Sequence, residues 1–291
     1  MKDILFETDL GRDPDDFMAF CLLTASPDVN IRAITISPGD PEQFNLCKSL
    51  LDQFGLDTPI GSNLQYQNKG EHIVSTFHNP LFLPEYQSRN SSFQIDGGEL
   101  IFETLKKYPN ITLLTTGPLQ NIGQFLKLRP DYDFVSSSYS MGGYIQTANG
   151  AFPNANLMPE YNFNGCVSGA QAFLNTGGRK VFVSKNVTHQ VKYTNDLQAM
   201  LEQKLTNDSP KSMKLLLNMM KRYLRHKSGG KKMHDPLTAM VALDESIVTL
   251  AEAELYNVGN KWGSVEVTGT NKWITVAIDQ KAFFTNILAL C

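Results

Sequence analysis

A short apolar run, Ile4-Leu5-Phe6, leads directly into Glu7-Thr8-Asp9-Leu10-Gly11-Arg12-Asp13-Pro14-Asp15-Asp16, which packs five carboxylates into ten residues. Residues 15–25 then read as an apolar helix. A buried strand that breaks into a loop and a helix is the opening unit of an α/β sheet, where ligands gather outside the carboxyl ends of the strands. Gly11 and Pro14 shape the loop so that Asp9 and the Asp15-Asp16 pair fold back toward one point. Like charges that close raise one another's pKa unless a cation lies between them. An all-oxygen set of this kind suits a hard divalent ion, Ca²⁺ or Mg²⁺, better than Zn²⁺. Helix capping explains acidic residues in a first turn, as at Asp15 and Asp16, but not Asp9 on the strand side.

The alternation continues along the chain. Strands are expected at 31–37, 111–116, 134–141 and 180–184, and helices at 41–54, 98–108, 118–128, 168–176, 196–205, 209–227 and 236–243. The tail, 256–279, alternates like antiparallel strands. With no internal repeat and no linker, 1–291 reads as a single α/β domain. The polar stretches 61–92 and 222–232 read as loops over a site. A hydrophobic fraction of 42% and a charged fraction of 19% exclude a disordered chain. A net charge of −3 gives no nucleic-acid or anionic-membrane footprint. No apolar run reaches the roughly 18 to 20 residues of a membrane span, and the start lacks a secretory pattern. Cys21, Cys47, Cys166 and Cys291 are scattered without metal spacing, which fits a reducing cytoplasm.

Phosphatases of the haloacid dehalogenase type also open on strand-Asp-x-Asp. Their nucleophilic aspartate would fall on Glu7 here, and Gly11 replaces their threonine or valine. The stretch 7–19 instead resembles the opening signature of the inosine-uridine nucleoside hydrolase family, in its longer Gly-x-Asp-x-Asp-Asp version. Three later segments resemble that family in the same order. They are Thr115-Thr116-Gly117-Pro118-Leu119-Gln120-Asn121-Ile122, the stretch from Asn154 to Pro159-Glu160-Tyr161-Asn162, and Met233-His234-Asp235-Pro236-Leu237-Thr238-Ala239. Each alone reads as a turn or a cap. Independent caps have no reason to reproduce one family's order.

The resemblance implies a single-domain nucleoside-hydrolase-like fold: a mostly parallel mixed central sheet flanked by helices, with the active site at the carboxyl ends of the strands. It implies Ca²⁺-dependent hydrolysis of the N-glycosidic bond of purine or pyrimidine ribonucleosides to ribose and free base, in a homodimer or homotetramer. Asp9 would bind the metal and act as general base toward a metal-bound water. Asp16, the main-chain carbonyl of Thr116 and Asp235 would complete the metal site. Asp15 would hold the ribose 2′-hydroxyl, Asp235 would touch the 3′-hydroxyl, and Asn154, Glu160 and Asn162 would hold the remaining hydroxyls. His234 would sit near the leaving base. Such a constellation suits an oxocarbenium-like transition state, which carboxylates stabilise.

Several positions depart from the family. Glu7 stands where its signature begins with aspartate, and Ser37-Pro38-Gly39-Asp40 stands where Gly-Asn is common. Asp40 could stabilise a ribosyl cation and counts as a candidate catalytic group. Cys166 falls beside a common aspartate, and the family's His-Gly has only His78-Asn79 or His72 as counterparts. Phe152 and Tyr223 are candidates to stack on a base, as are Phe17 and Tyr161, although aromatics at helical spacing are more often core. Arg222, Arg225 and His226 read as a solvated helix face. The alternative reading is a catalytically silent binder of the same fold, or one acting on an unusual N-riboside such as a nicotinamide riboside.

Overall fold

The computed structural model describes residues 1–63, 73–87, 95–132 and 136–291. Its elements are β1 (Lys2–Thr8), α1 (Pro14–Ala25), β2 (Val29–Ile36), α2 (Pro41–Phe54), β3 (Ile60–Ser62), α3 (Gly97–Lys107), β4 (Thr112–Thr115), α4 (Gln120–Leu128), β5 (Ser138–Met141), α5 (Tyr161–Asn164) and α6 (Val167–Leu174). There follow β6 (Lys180–Val183), α7 (Lys185–Thr188), β7 (Lys192–Tyr193), α8 (Asn195–Lys204), α9 (Lys211–His226), β8 (Lys231–Lys232), α10 (His234–Leu243), β9 (Val248–Val258), β10 (Lys261–Glu266), β11 (Lys272–Ile278) and α11 (Gln280–Leu288).

Nine strands form one sheet in the order β10-β9-β11-β6-β5-β4-β1-β2-β3. From β11 to β3 every pairing is parallel, while β9 runs antiparallel to both β10 and β11. Successive side chains of a strand point to opposite faces, so a strand covered on both sides reads as an unbroken apolar run. In β1, Ile4 and Phe6 join one apolar cluster and Leu5 the other. In β6, Val181 and Val183 face the first cluster and Phe182 the second. Residues of α1, α2, α9, α10 and α11 close the first cluster, and residues of α3, α4 and α6 close the second.

The helix boundaries follow local chemistry. In α2 the Asp40 side chain accepts from the Gln43 backbone while Gln43 reaches back to the Asp40 backbone, and Gly55 ends the helix at φ 71. The tail matches expectation only in part, because β11 joins the parallel sheet through β6. The stretch 222–232 is the end of α9, a turn, and β8 paired with β7. The expected loop 61–92 overlaps residues 64–72 and 88–92, and His72 and the start of the 134–141 strand also lie outside the described residues. Among the described residues no helix is long and apolar enough to cross a membrane.

Because β1, β4, β5 and β6 are parallel, their carboxyl ends open on the same edge. The loops after β1 and β4 touch closely there: a Cβ on Gly117 would lie 2.6 Å from the Asp9 nitrogen. Only glycine admits that approach.

Candidate active site

At this edge, Asp9, Asp15 and Asp16 come from the loop after β1 and the first turn of α1, and Asp235 from the first turn of α10. All four are buried, between 2% and 5% exposed. Asp15, Asp16 and Asp235 each offer a carboxylate oxygen within 4.8 Å of the others. Asp9 stands beside this trio, with the Arg12 Nε 3.8 Å from its Oδ2. Asp16 is fixed by two hydroxyls, Thr8 Oγ1 at 2.5 Å and Thr116 Oγ1 at 2.8 Å, both donating to Oδ1. Asn162 Nδ2 donates to the Thr116 carbonyl at 2.7 Å.

Burial raises the pKa of all four carboxyls, and mutual repulsion raises Asp9 and Asp235 further. For Asp15 the ammonium of Lys231 works against burial. Carboxylates that burial and repulsion drive toward holding protons are a set that a cation would discharge. The donors are oxygens alone, so the trio Asp15, Asp16 and Asp235 fits a hard divalent cation.

The four aspartates open into a cavity of about 510 Å³. Glu160 and Asn162 form the facing wall. Glu160 is 2% exposed, its Oε1 has no hydrogen-bond partner among the described residues, and burial pushes its pKa up to about 8 against the pull of Lys185. A buried unpartnered carboxyl oxygen facing a cavity is a waiting hydrogen-bonding group. His234 lines the same space, bonded through Nδ1 to Thr188 Oγ1 at 2.8 Å, and burial with nearby His189 and lysines lowers its pKa to about 3. It is therefore a neutral imidazole near pH 7. Phe152 stacks its edge on His189, centroids 4.8 Å apart, and His189 lies 5.0 Å from His234.

Four expected site residues lie outside the cavity lining: Asp40, Asn154, Tyr223 and Phe152, the last reaching the site only through its edge contact with His189. Asp40 is the N-cap of α2, with Oδ1 accepting from Gln43 N at 2.8 Å, and it does not line the cavity. An aspartate before Pro41 satisfies the helix terminus, and that local demand fixes it. Asn154 is exposed in a turn outside the cavity lining. Tyr223 packs on Phe77 at 6.0 Å, also outside the lining, and Phe17 is fully buried against the same ring. Tyr161 sits at the rim, 57% exposed, under the Arg12 guanidinium.

Glu7 lies beneath the loop, fully buried, taking hydrogen bonds from Thr35, Ser37 and Asn121. It does not line the cavity. Sequence reasoning missed Lys231, 7% exposed, whose Nζ lies 2.6 Å from Asp13 and 3.3 Å from Asp15. It also missed Lys185 and His189, which line the cavity. The available signal was the Gly229-Gly230 turn immediately before a lysine pair, which demands that the chain reverse toward the site.

A family model described as "Inosine-uridine preferring nucleoside hydrolase" matches residues 4–285. The pyrimidine-specific ribonucleoside hydrolase RihA of Salmonella arizonae is 25% identical over 91% of this chain and 85% of its own length. A probable uridine nucleosidase of Arabidopsis thaliana is 27% identical over 86% of this chain and 80% of its own. Among solved structures, the plant nucleoside hydrolase PpNRh1 superposes with a TM-score of 0.76 at 21% identity, covering 99% of this chain and 98% of that one. A purine-preferring ribonucleoside hydrolase from Gardnerella vaginalis gives 0.72 at 20% identity, covering 99% of each chain.

Proposed function

The chain belongs to the inosine-uridine preferring nucleoside hydrolase family, enzymes that hydrolyse N-glycosyl bonds, and from that premise we propose that it releases ribose from N-ribosides with Ca²⁺ at the aspartate cluster and Asp9 as general base. The observation that carries this reading is the convergence of Asp9, Asp15, Asp16 and Asp235 on one cavity faced by Glu160 and Asn162. Asp9, Asp16, Asp235 and the Thr116 carbonyl would hold the cation. When bound, it would lower the pKa of an attacking water.

Every other role falls to side chains of this chain. Asp15 and Asp235 accept hydrogen bonds from the vicinal ribose hydroxyls, and Glu160 and Asn162 hold the far side of the sugar. Buried acceptors left unpaired are costly, so this wall selects ribose over 2′-deoxyribose. Asp9 takes the proton of the attacking water, and the carboxylates stabilise positive charge developing on the ribosyl ring. His234, a neutral imidazole whose Nδ1 is engaged by Thr188, contributes a hydrogen bond through Nε2 at the leaving base rather than a ready proton.

The test is ribose release by purified protein from a panel of ribonucleosides, with and without a chelator. Chelator-sensitive release is expected, and Asp9→Ala should lower kcat/KM by roughly 10³-fold, the scale of several kcal/mol of base and cation-site loss. Equal release by both proteins would defeat the assignment of Asp9.

A further inference from the structure

We infer that the riboside hydrolysed here carries a negatively charged substituent, received at one wall of the cavity by the ammonium group of Lys185, which lines it with His189, and supported by that of Lys232, which lies outside the lining against the His189 ring. The inference rests on the riboside hydrolase reading above and names its substrate class.

The wall is built from β6, α7 and the β7–β8 ladder. That ladder sets Lys192 directly opposite Lys232. Like charges facing across an antiparallel pair are destabilising. Lys231, the next residue, turns inward and is neutralised by Asp13 and Asp15. Among the described residues, no carboxylate lies within 4.0 Å of Lys185, Lys192 or Lys232. Glu160 faces the same cavity, and burial raises its pKa against the pull of Lys185, which makes it a weaker counter-charge than an exposed carboxylate.

Nor are Lys185 and Lys232 loose tethers. Lys232 Nζ is held 2.7 Å from His189 Nδ1, and Lys185 Nζ donates to the Pro159 carbonyl at 2.7 Å. His189 accepts as a neutral ring: burial, then Lys232 and Lys185, bring its pKa down to about 4. Lys232 is itself lowered, by burial and then by Lys192, Lys185 and Lys231. Cations each held by a hydrogen bond while their charges repel are preorganised for an anion, and charge-assisted contacts are the stronger class of hydrogen bond. The acidic cluster would repel an anion placed at its own end of the cavity. The lysine wall, reached through His189 and Lys185, is where one is favoured.

Two sources supply such a charge, a phosphate on the ribose C5′ or a carboxylate on the base. The experiment therefore compares kcat/KM within two pairs, uridine against uridine 5′-monophosphate and uridine against orotidine, with Ca²⁺ present. The charged member of one pair should be preferred by at least about tenfold. A preference for the monophosphate locates the anion at C5′, and a preference for orotidine locates it on the base. Lys232→Gln and Lys185→Gln should each bring that ratio toward one. Lys232→Gln relieves a like-charge pair and should melt no lower than the native chain, which separates this effect from misfolding.

Preference for uridine in both pairs overturns the inference while leaving the hydrolase reading in place. A ratio that survives both substitutions also overturns it. Absence of release from every riboside, charged or neutral, overturns the hydrolase reading and the inference together.

Discussion

Lys231 brings a positive charge into a cluster whose chemistry calls for a cation. Its ammonium, 3.3 Å from Asp15, compensates one buried carboxylate before any metal arrives. Removing one partner of a buried pair costs about 3–5 kcal/mol because the other charge is left unpaired. The same removal takes a like charge away from an incoming divalent ion. Two effects of opposite sign follow for Lys231→Met. Its metal-free melting temperature should fall, and its Ca²⁺ dissociation constant should drop by about tenfold. Scanning fluorimetry across a Ca²⁺ series, with calorimetric titration, reads both. Unchanged or weaker Ca²⁺ binding would show that Lys231 does not oppose the metal. None of this is visible from Lys231 in the sequence, where it is one of two lysines after a glycine turn. Asp15 and Asp16 were readable because strand, turn and helix lie within a few residues of one another. Glu7 was readable as a departure, and its place beneath the loop follows from donors on β2 and α4, far away in the chain.

The acidic loop is clamped from below by the 73–81 segment. Ser75 N donates to the Gly11 carbonyl at 2.8 Å, and Gly11 holds the loop open at φ 112. His78, in the 3₁₀ turn Thr76–Leu81, closes the clamp through Nδ1 to Ser75 Oγ at 3.1 Å. Burial lowers its pKa from 6.5 to about 4. The unfolded chain thus takes a proton near pH 6.5 that the folded chain refuses until about pH 4. The stability this neutral ring contributes is complete above pH 6.5 and is lost as pH falls toward 4, by roughly 3 kcal/mol. The buried carboxyls, raised by burial, slope the other way, so the loss is read as a difference: urea unfolding of the metal-free native chain and of His78→Leu should diverge in pH slope by that amount, with His78→Leu less stable at pH 7.5 through the lost Ser75 contact. Parallel pH slopes in the two proteins would rule the clamp out as the source. At this scale the sequence spoke clearly where caps and period agreed, as in α2 between Asp40 and Gly55. It was silent on β3, β7 and β8, two or three residues each, because so short a run has no period. The capping signal at Asp40 was also readable, and the helix terminus is where that carboxylate is engaged.

Across the molecule, the proposed metal ligands come from the loop after β1, the start of α1, the loop after β4 and the start of α10, spread from residue 9 to residue 235. Four segments matching one family in order made this convergence readable, since sequence order and strand order together place them at one edge. The lysine wall was not readable, because Lys185, Lys192 and Lys232 meet only through the β7–β8 ladder and the turn after β6. A ligand that bridges such distant segments binds the folded chain and has no comparable site in the unfolded one. It therefore stabilises the whole molecule by mass action, about 2.7 kcal/mol at a concentration one hundred times its dissociation constant. For a chain of 291 residues that is a rise of roughly 5 °C in Tm over the chelated protein. Asp235→Asn should lose most of that rise, while Glu202→Gln, far from the cluster beside Lys221, should keep all of it. If Ca²⁺ left the native chain's Tm unmoved, or moved that of the Asp235→Asn variant equally, the cation would be binding elsewhere and the buried aspartates would have to share protons instead.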